Sequence, residues 1–128
     1  MSYTINRLIA DADFEQVDQR TRQALADHGF GVMTEIDVKN TIKNKLDKEM
    51  APYRILGACN PTMAWDALQA EPRAGVMLPC NVVLREVAAG IEVCAVDPVA
   101  SMAAIENKEL TDVTKQVRDA LAKAVQAI

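Results

Sequence analysis

The chain has 128 residues, half of them hydrophobic and a quarter charged, and its formal net charge at pH 7 is −4. This length corresponds to a single domain over residues 1–128, because domains usually comprise about 100–150 residues. The acidic balance argues against nucleic acid or an anionic membrane as a partner, since both require a basic patch. We find no apolar run of the roughly 20 residues needed to span a membrane and no signal peptide. We therefore expect a cytoplasmic protein.

The first half of the chain predicts three strands and two helices. Asp13 followed by Gln16 is typical of a helix N-terminus, and Gly29 is typical of the residue that ends a helix. Asp37 is placed to cap a second, shorter helix that Pro52 ends. In chain order we predict a strand over 2–9, a helix over 14–28, a strand over 30–36, a short helix after Asp37 and a strand over 53–59.

The second half predicts a hairpin between two helical regions. Asn60-Pro61 is a strong helix start, because Asn caps a helix and Pro at its first position gives up no hydrogen bond. We predict a helix over 61–70, a long strand over 75–87 interrupted near Pro79, a turn over 88–90 and a strand over 91–96. A short helical piece over 99–105 follows, and then a long helix over 110–128 capped by Asn107 or Thr111.

This order of elements favours an α+β fold. The predicted strands lack the long apolar runs that parallel sheets require on both faces. A tight hairpin is also recognisable between residues 87 and 91. We therefore predict a two-layer sandwich, in which a mostly antiparallel sheet carries the two long helices on one face.

Two Cys-Asn dipeptides are the most informative feature for function. Cys59 ends a predicted strand directly before the Asn60 helix start, where free N–H groups would stabilise a thiolate or bind a small anion. Cys80 and Asn81 repeat the pattern beside Pro79. If the two strands are neighbours, all four side chains face one ligand-binding pocket. The alternative is that both cysteines fill tight spots, while Asn60 caps a helix and Asn81 satisfies a bend.

Other chemistry is weakly supported. Cys94 lies between apolar neighbours and is expected in the core, and His28 is expected to interact with the last carbonyls of its helix. A four-ligand structural zinc site would need all three cysteines together with His28, which we expect at the end of its helix, so we predict no resident metal and no cofactor. Two or three thiolates would nevertheless suit Cu(I). Methionines are interpreted as core residues: Met33, Met50, Met63, Met77 and Met102. We identify no general base, so enzymatic activity stays undecided.

The two Cys-Asn blocks also resemble a known family. The residues concerned are 57–61 (Gly-Ala-Cys-Asn-Pro), Ala64, 67–68 (Ala-Leu), 78–82 (Leu-Pro-Cys-Asn-Val), Gly90 and 97–98 (Asp-Pro). Together they resemble the domain of unknown function 302 family of small bacterial and archaeal proteins. The resemblance implies a TATA-binding-protein-like fold and homodimers, but no activity and no catalytic residues.

Three hypotheses follow from these observations. The first is a small-molecule or anion-binding module with a pocket at Cys59, Asn60, Cys80 and Asn81. The second is a non-catalytic homodimeric interaction domain whose cysteines only pack. The third is a thiol redox or Cu(I)-binding protein that uses the same cysteines.

Overall fold

The computed structural model describes residues 2–128 as an antiparallel sheet with helices packed on it. The strands are β1 (Thr4–Ala10), β2 (Gly31–Asp37), β3 (Tyr53–Cys59), β4 (Cys80–Val87) and β5 (Gly90–Val96). The helices are α1 (Phe14–Asp27), α2 (Val38–Leu46), α3 (Pro61–Ala70), α4 (Pro98–Ser101) and α5 (Lys108–Gln126), with a 3-10 helix over Pro72–Met77. The strand order is β1-β5-β4-β3-β2, and every neighbouring pair is antiparallel.

One face of the sheet forms the main core with the two long helices. Alternate strand residues are fully buried there, among them Val82 and Leu84 of β4 and Val93 of β5. Helices α1 and α5 complete this core with side chains such as Leu25 and Leu121. Because successive strand residues point to opposite faces, this alternation assigns the intervening residues to the other face. The predicted two-layer α+β sandwich is confirmed.

We call the second face of the sheet the open face. It carries Asn6, Leu8, Tyr53, Ile55, Asn81, Val83, Arg85, Glu92 and Cys94, which are partly or largely exposed. Leu8, for example, is 49% exposed. The open face holds a shallow groove of about 410 Å³ between the tyrosines at residues 3 and 53.

Most predicted helix starts are confirmed by their caps. The side chains of Asp13, Asp37, Asn60 and Asn107 each accept a hydrogen bond from the backbone N–H three residues later, over 2.9–3.2 Å. Each cap satisfies an N–H group that the helix itself leaves without a partner. For α5 the structure selects Asn107 over Thr111 as the cap.

The predicted long strand over 75–87 is wrong in its first part. Residues Pro72–Met77 form a 3-10 helix, and β4 begins only at Cys80. Pro72 supplies the fixed backbone angle for the first helical position, and the Glu71 carboxylate accepts a hydrogen bond from the Arg73 N–H at 3.1 Å. Leu78 then packs in a second core cluster with Ala67, Ala74, Met102 and Leu110.

Two helix ends also differ from the prediction. Helix α2 ends at Leu46 and not near Pro52, because Asp47 adopts a left-handed conformation with φ of 53°. The helical piece predicted over 99–105 is shortened to α4 (Pro98–Ser101), which Asp97 caps through the N–H groups of Val99 and Ala100.

An ion-pair cluster joins α1 to the sheet below it. The Arg54 guanidinium of β3 donates to the carboxylates of Asp18 at 2.8 Å and Glu15 at 2.9 Å. Asp18, which is only 5% exposed, also accepts from Arg22 at 2.7 Å. Burial alone raises the pKa of Asp18, but the hydrogen bonds from Arg22 and Arg54 outweigh it, so this pKa lies below its ordinary value.

Candidate functional site

The two Cys-Asn segments lie at the same end of two adjacent strands. Cys59 is the last residue of β3, and Cys80 is the first residue of β4. Ala58 is directly opposite Cys80 in the antiparallel register, so Cys59 follows the residue that faces Cys80. The condition set by the sequence, that the two strands be neighbours, is therefore met.

A cavity of about 30 Å³ lies at this end of the sheet, under the start of α3. Its lining includes Cys59, Asn60 and Cys80. The rest of the lining is nearly all apolar: Phe30, Ala58, Met63, Ala64, Ala67, Leu78, Pro98, Met102, Val113, Thr114 and Val117. Among the described residues that surround this cavity, none carries a charged side chain. The cavity is thus small, and its polar groups are the two thiols, one amide and one hydroxyl.

Asn60 is already engaged at this site. Its side-chain oxygen accepts a hydrogen bond from the Met63 N–H at 3.1 Å, which makes it the N-cap of α3. Pro61 follows and has no N–H group. The Met63 N–H is therefore already bonded, and Pro61 offers none. With fewer free N–H groups, the start of α3 suits an anion less well than the sequence suggested.

Asn81 does not join the other three residues. Successive residues of a strand point to opposite faces, so Cys80 enters the core side while Asn81 is exposed on the open face. Its partner across the strand pair is Gly57. The prediction that all four side chains share a pocket is therefore wrong for Asn81. Asn60 follows the last residue of β3 and caps α3, so the alternation along the strand does not extend to it.

Burial makes Cys80 a weak nucleophile. Desolvation, and to a lesser degree the neighbouring Cys59, raise the pKa of the Cys80 thiol to about 11. A thiol with this pKa is protonated at neutral pH. The geometry thus gives no support to a reactive thiolate at this position.

Cys94 is not the core residue that we predicted. It is partly exposed on the open face, because its neighbours Val93 and Ala95 occupy the core side of β5. Its thiol donates a hydrogen bond to the Glu92 carboxylate at 2.9 Å. Burial and then this carboxylate raise the pKa of the Cys94 thiol to about 11. All three cysteines are free.

Two residues of the cavity were missed by sequence reasoning. Met63 and Met102 both line it, although their positions gave them the appearance of ordinary core residues. Met63 was foreseeable, because it is the third residue of a helix that begins directly after Cys59-Asn60. Met102 had no such signal, since it comes from the far side of the β4–β5 hairpin and is placed by α4 and the turn after it.

His28 and the acidic residues do not form a conventional metal centre. The His28 Nδ1 atom lies 2.8 Å from the Ala24 carbonyl oxygen, as expected for a histidine at a helix end. Within residues 2–128, no group of three or more His, Cys, Asp or Glu side chains is placed to hold a metal ion.

The fold and this cavity define a small two-layer α+β protein with a sulfur-containing cavity at one end of its sheet. The family model described as domain of unknown function DUF302 matches residues 6–128. The chain therefore belongs to the DUF302 family, as its Cys-Asn blocks indicated. Among solved structures it is similar to an uncharacterized conserved protein DUF302 from Bacillus stearothermophilus, with a TM-score of 0.92 and 20% identity over 99% of this chain and 98% of that chain.

At this level of identity the structural likeness establishes the fold alone. A search of curated proteins finds no match. Over residues 2–128, no helix combines the length and the apolar character needed to cross a membrane.

Proposed function

We propose that the chain is a binding module for a very small ligand, which occupies the cavity beside Cys59, Asn60 and Cys80. The observation that carries this proposal is that Cys59, Asn60 and Cys80, from two separate segments, line one cavity. The three free cysteines fit a reducing compartment, which supports a cytoplasmic location.

The size and lining of the cavity restrict what it binds. A volume of about 30 Å³ is far below the ~300–1,000 Å³ of sites that take drug-sized molecules, so a ligand of only a few atoms is indicated. An anion is disfavoured, because burying a charge without a partner is costly and no cation lines the cavity among the described residues. We therefore narrow the predicted small-molecule or anionic ligand to a neutral or soft one.

Two probes of equal heavy-atom number test this proposal. Dimethyl sulfide is apolar and formate is anionic, and each is titrated into isotope-labelled protein while amide resonances are followed by NMR. We expect dimethyl sulfide to shift the amides of cavity residues such as Ala64 and Thr114, and formate to leave them unchanged. Equal shifts with both probes, or none with dimethyl sulfide, would contradict the proposal.

A cavity-filling variant is the matched control. Ala64 lines the cavity, so Ala64→Leu reduces the free volume without adding charge. The dimethyl sulfide shifts should disappear in this variant. Leu68→Met, on the more exposed side of the same helix, should retain them.

The open face supports a second candidate, a homodimeric interaction domain. Leu8 on this face is 49% exposed, and so is Ile36, which lies beside Ile55 of the open face in the β2–β3 register. Arg85 pairs with Glu92 at 2.8 Å in the middle of the face. In a dimer with two-fold symmetry built on this face, each copy would present the same apolar residues and the same Arg85–Glu92 pair to its partner. The proposed dimer therefore uses the open face.

The mass in solution tests the dimer. Light scattering should give twice the monomer mass of 14.0 kDa, and Leu8→Asp should return the monomer. Val76→Asp, at a position that is 83% exposed on the 3-10 helix, is the control and should leave the mass unchanged. A wild-type monomer at high concentration would reject this candidate.

A further inference from the structure

Four sulfur-bearing residues line the cavity, and they belong to four separate parts of the chain. Cys59 ends β3, Cys80 begins β4, Met63 belongs to the first turn of α3, and Met102 follows α4. Cys80 and Met102 are each only 6% exposed. The six methionines and three cysteines of the chain thus supply this one cavity with two of each.

This set of donors distinguishes between classes of metal ion. Hard ions such as Mg²⁺ and Ca²⁺ require carboxylate or carbonyl oxygens, and no acidic side chain lines the cavity among residues 2–128. Structural zinc takes four Cys or His ligands, and iron–sulfur clusters usually take four cysteines, whereas this cavity has two. A mixture of thiolates and thioethers selects the soft monovalent ion Cu(I).

We infer that the cavity takes one Cu(I) ion, bound through its two cysteine thiolates and its two methionine thioethers. This inference rests on the proposed binding function and names its ligand class. Binding involves no electron transfer, since copper enters and remains as Cu(I). Each thiol that becomes a thiolate ligand forms one S–Cu bond and releases its proton to the solvent.

The cavity size agrees with this assignment. About 30 Å³ admits a single ion or a few atoms and excludes larger organic ligands. The walls, which include Phe30, Leu78 and Val113, are apolar and offer few groups that would hold water beside the ion. Water exclusion favours soft sulfur ligation over hydration of the ion.

Competition for copper tests the inference on the full chain. Cu(I) is supplied as its bicinchoninate complex without oxygen, and the loss of the coloured complex measures transfer to the protein. We expect uptake of one ion per chain. Cys59→Ser and Cys80→Ser should each lower the affinity by more than about 100-fold, which exceeds the usual effect of removing an outer-shell partner. Met63→Leu and Met102→Leu should each lower it by about 10-fold.

Two controls keep the conclusion specific. Cys94→Ser and Met77→Leu alter sulfur side chains that do not line the cavity, so copper affinity should be unchanged. X-ray absorption of the wild-type complex should show a first shell of sulfur only, which tests the site even if a variant fails to fold. No copper uptake, an affinity that depends on Cys94, unaltered binding in both methionine variants, or oxygen or nitrogen ligands would overturn the inference.

The outcome separates this inference from the proposed function. Dimethyl sulfide shifts without copper uptake would leave the binding module intact and remove the metal. If neither dimethyl sulfide nor Cu(I) bound, both the proposed binding function and the copper site would be rejected.

Discussion

The ion-pair cluster under α1 gives the sharpest prediction about stability. Arg54→Met retains most of the apolar stem of this side chain but removes the guanidinium that pairs with Asp18 and Glu15. The Arg54 side chain is 15% exposed and that of Asp18 is 7% exposed, so this pair is shielded from solvent. Breaking a buried pair on one side costs about 3–5 kcal/mol. Because Asp18 keeps its bond to Arg22 in this variant, we expect Arg54→Met to lower the free energy of unfolding by about 3 kcal/mol, the lower end of this range.

Arg85→Met is the matched control for this prediction. Arg85 pairs with Glu92 on the open face, where the two side chains are 46% and 26% exposed. Pairs in such surroundings contribute little to stability, because water and salt screen them, so Arg85→Met should cost far less than Arg54→Met. Urea denaturation of the wild type and both variants measures the free energies of unfolding and their differences.

The pH dependence provides a second test of the same reasoning. The folded-state pKa of Asp18 is lowered, so its ion pairing stabilises the protein above the ordinary carboxyl pKa and this contribution is lost as the pH falls through the folded-state value. The difference in the free energy of unfolding between the wild type and Arg54→Met should therefore become smaller as the pH falls from about 7 to about 2. The reasoning would be refuted if Arg54→Met and Arg85→Met lowered the free energy of unfolding equally at neutral pH. It would also be refuted if the difference between the wild type and Arg54→Met stayed the same in acid.

Three further predictions concern single residues. Asn60→Ala removes the cap of α3 and should lower the free energy of unfolding by about 1 kcal/mol in chemical denaturation, while Asn81→Ala on the open face should change it by less than about 0.5 kcal/mol. Gly57→Ala should lower the free energy of unfolding by about 1–3 kcal/mol or more, because a Cβ atom there clashes with Thr34 and lies 2.7 Å from Pro79 Cγ. A melting temperature equal to that of the wild type would contradict this. Glu92→Gln removes the carboxylate that helps to raise the pKa of Cys94. Alkylation of this thiol, followed by mass spectrometry, should therefore become faster at about pH 8. An unchanged alkylation rate would count against the contact between Glu92 and Cys94.

The candidate site was predictable from the sequence only in part. Cys59 and Asn60 were recognisable because a strand end and a helix start adjoin there, and both signals are local. The pairing of β3 with β4, which brings Cys80 beside them, was a stated condition that local signals could not verify. Asn81 was wrongly placed in the same pocket as Cys80, because the two adjacent residues both belong to β4 and so point to opposite faces of the sheet.

The methionines show a different kind of limit. Nothing in the surroundings of Met102 along the chain relates it to Cys59. Cys59 ends β3, whereas Met102 follows α4, and only the folded chain brings both to the cavity. A methionine on an apolar stripe is the same pattern whether it fills a core or lines a cavity. The contribution of Met102 to the cavity was therefore beyond sequence reasoning.

The sequence by itself determined the kinds and order of most elements and the α+β class. It could do so because caps, turns and the spacing of apolar residues act over only a few positions, as at Asp13, Asn60 and Gly90. The tertiary structure alone decided the strand order, the pairing of β3 with β4, and the shortening of β4 by the 3-10 helix. Those outcomes depend on register and on packing between distant segments, which no local pattern encodes.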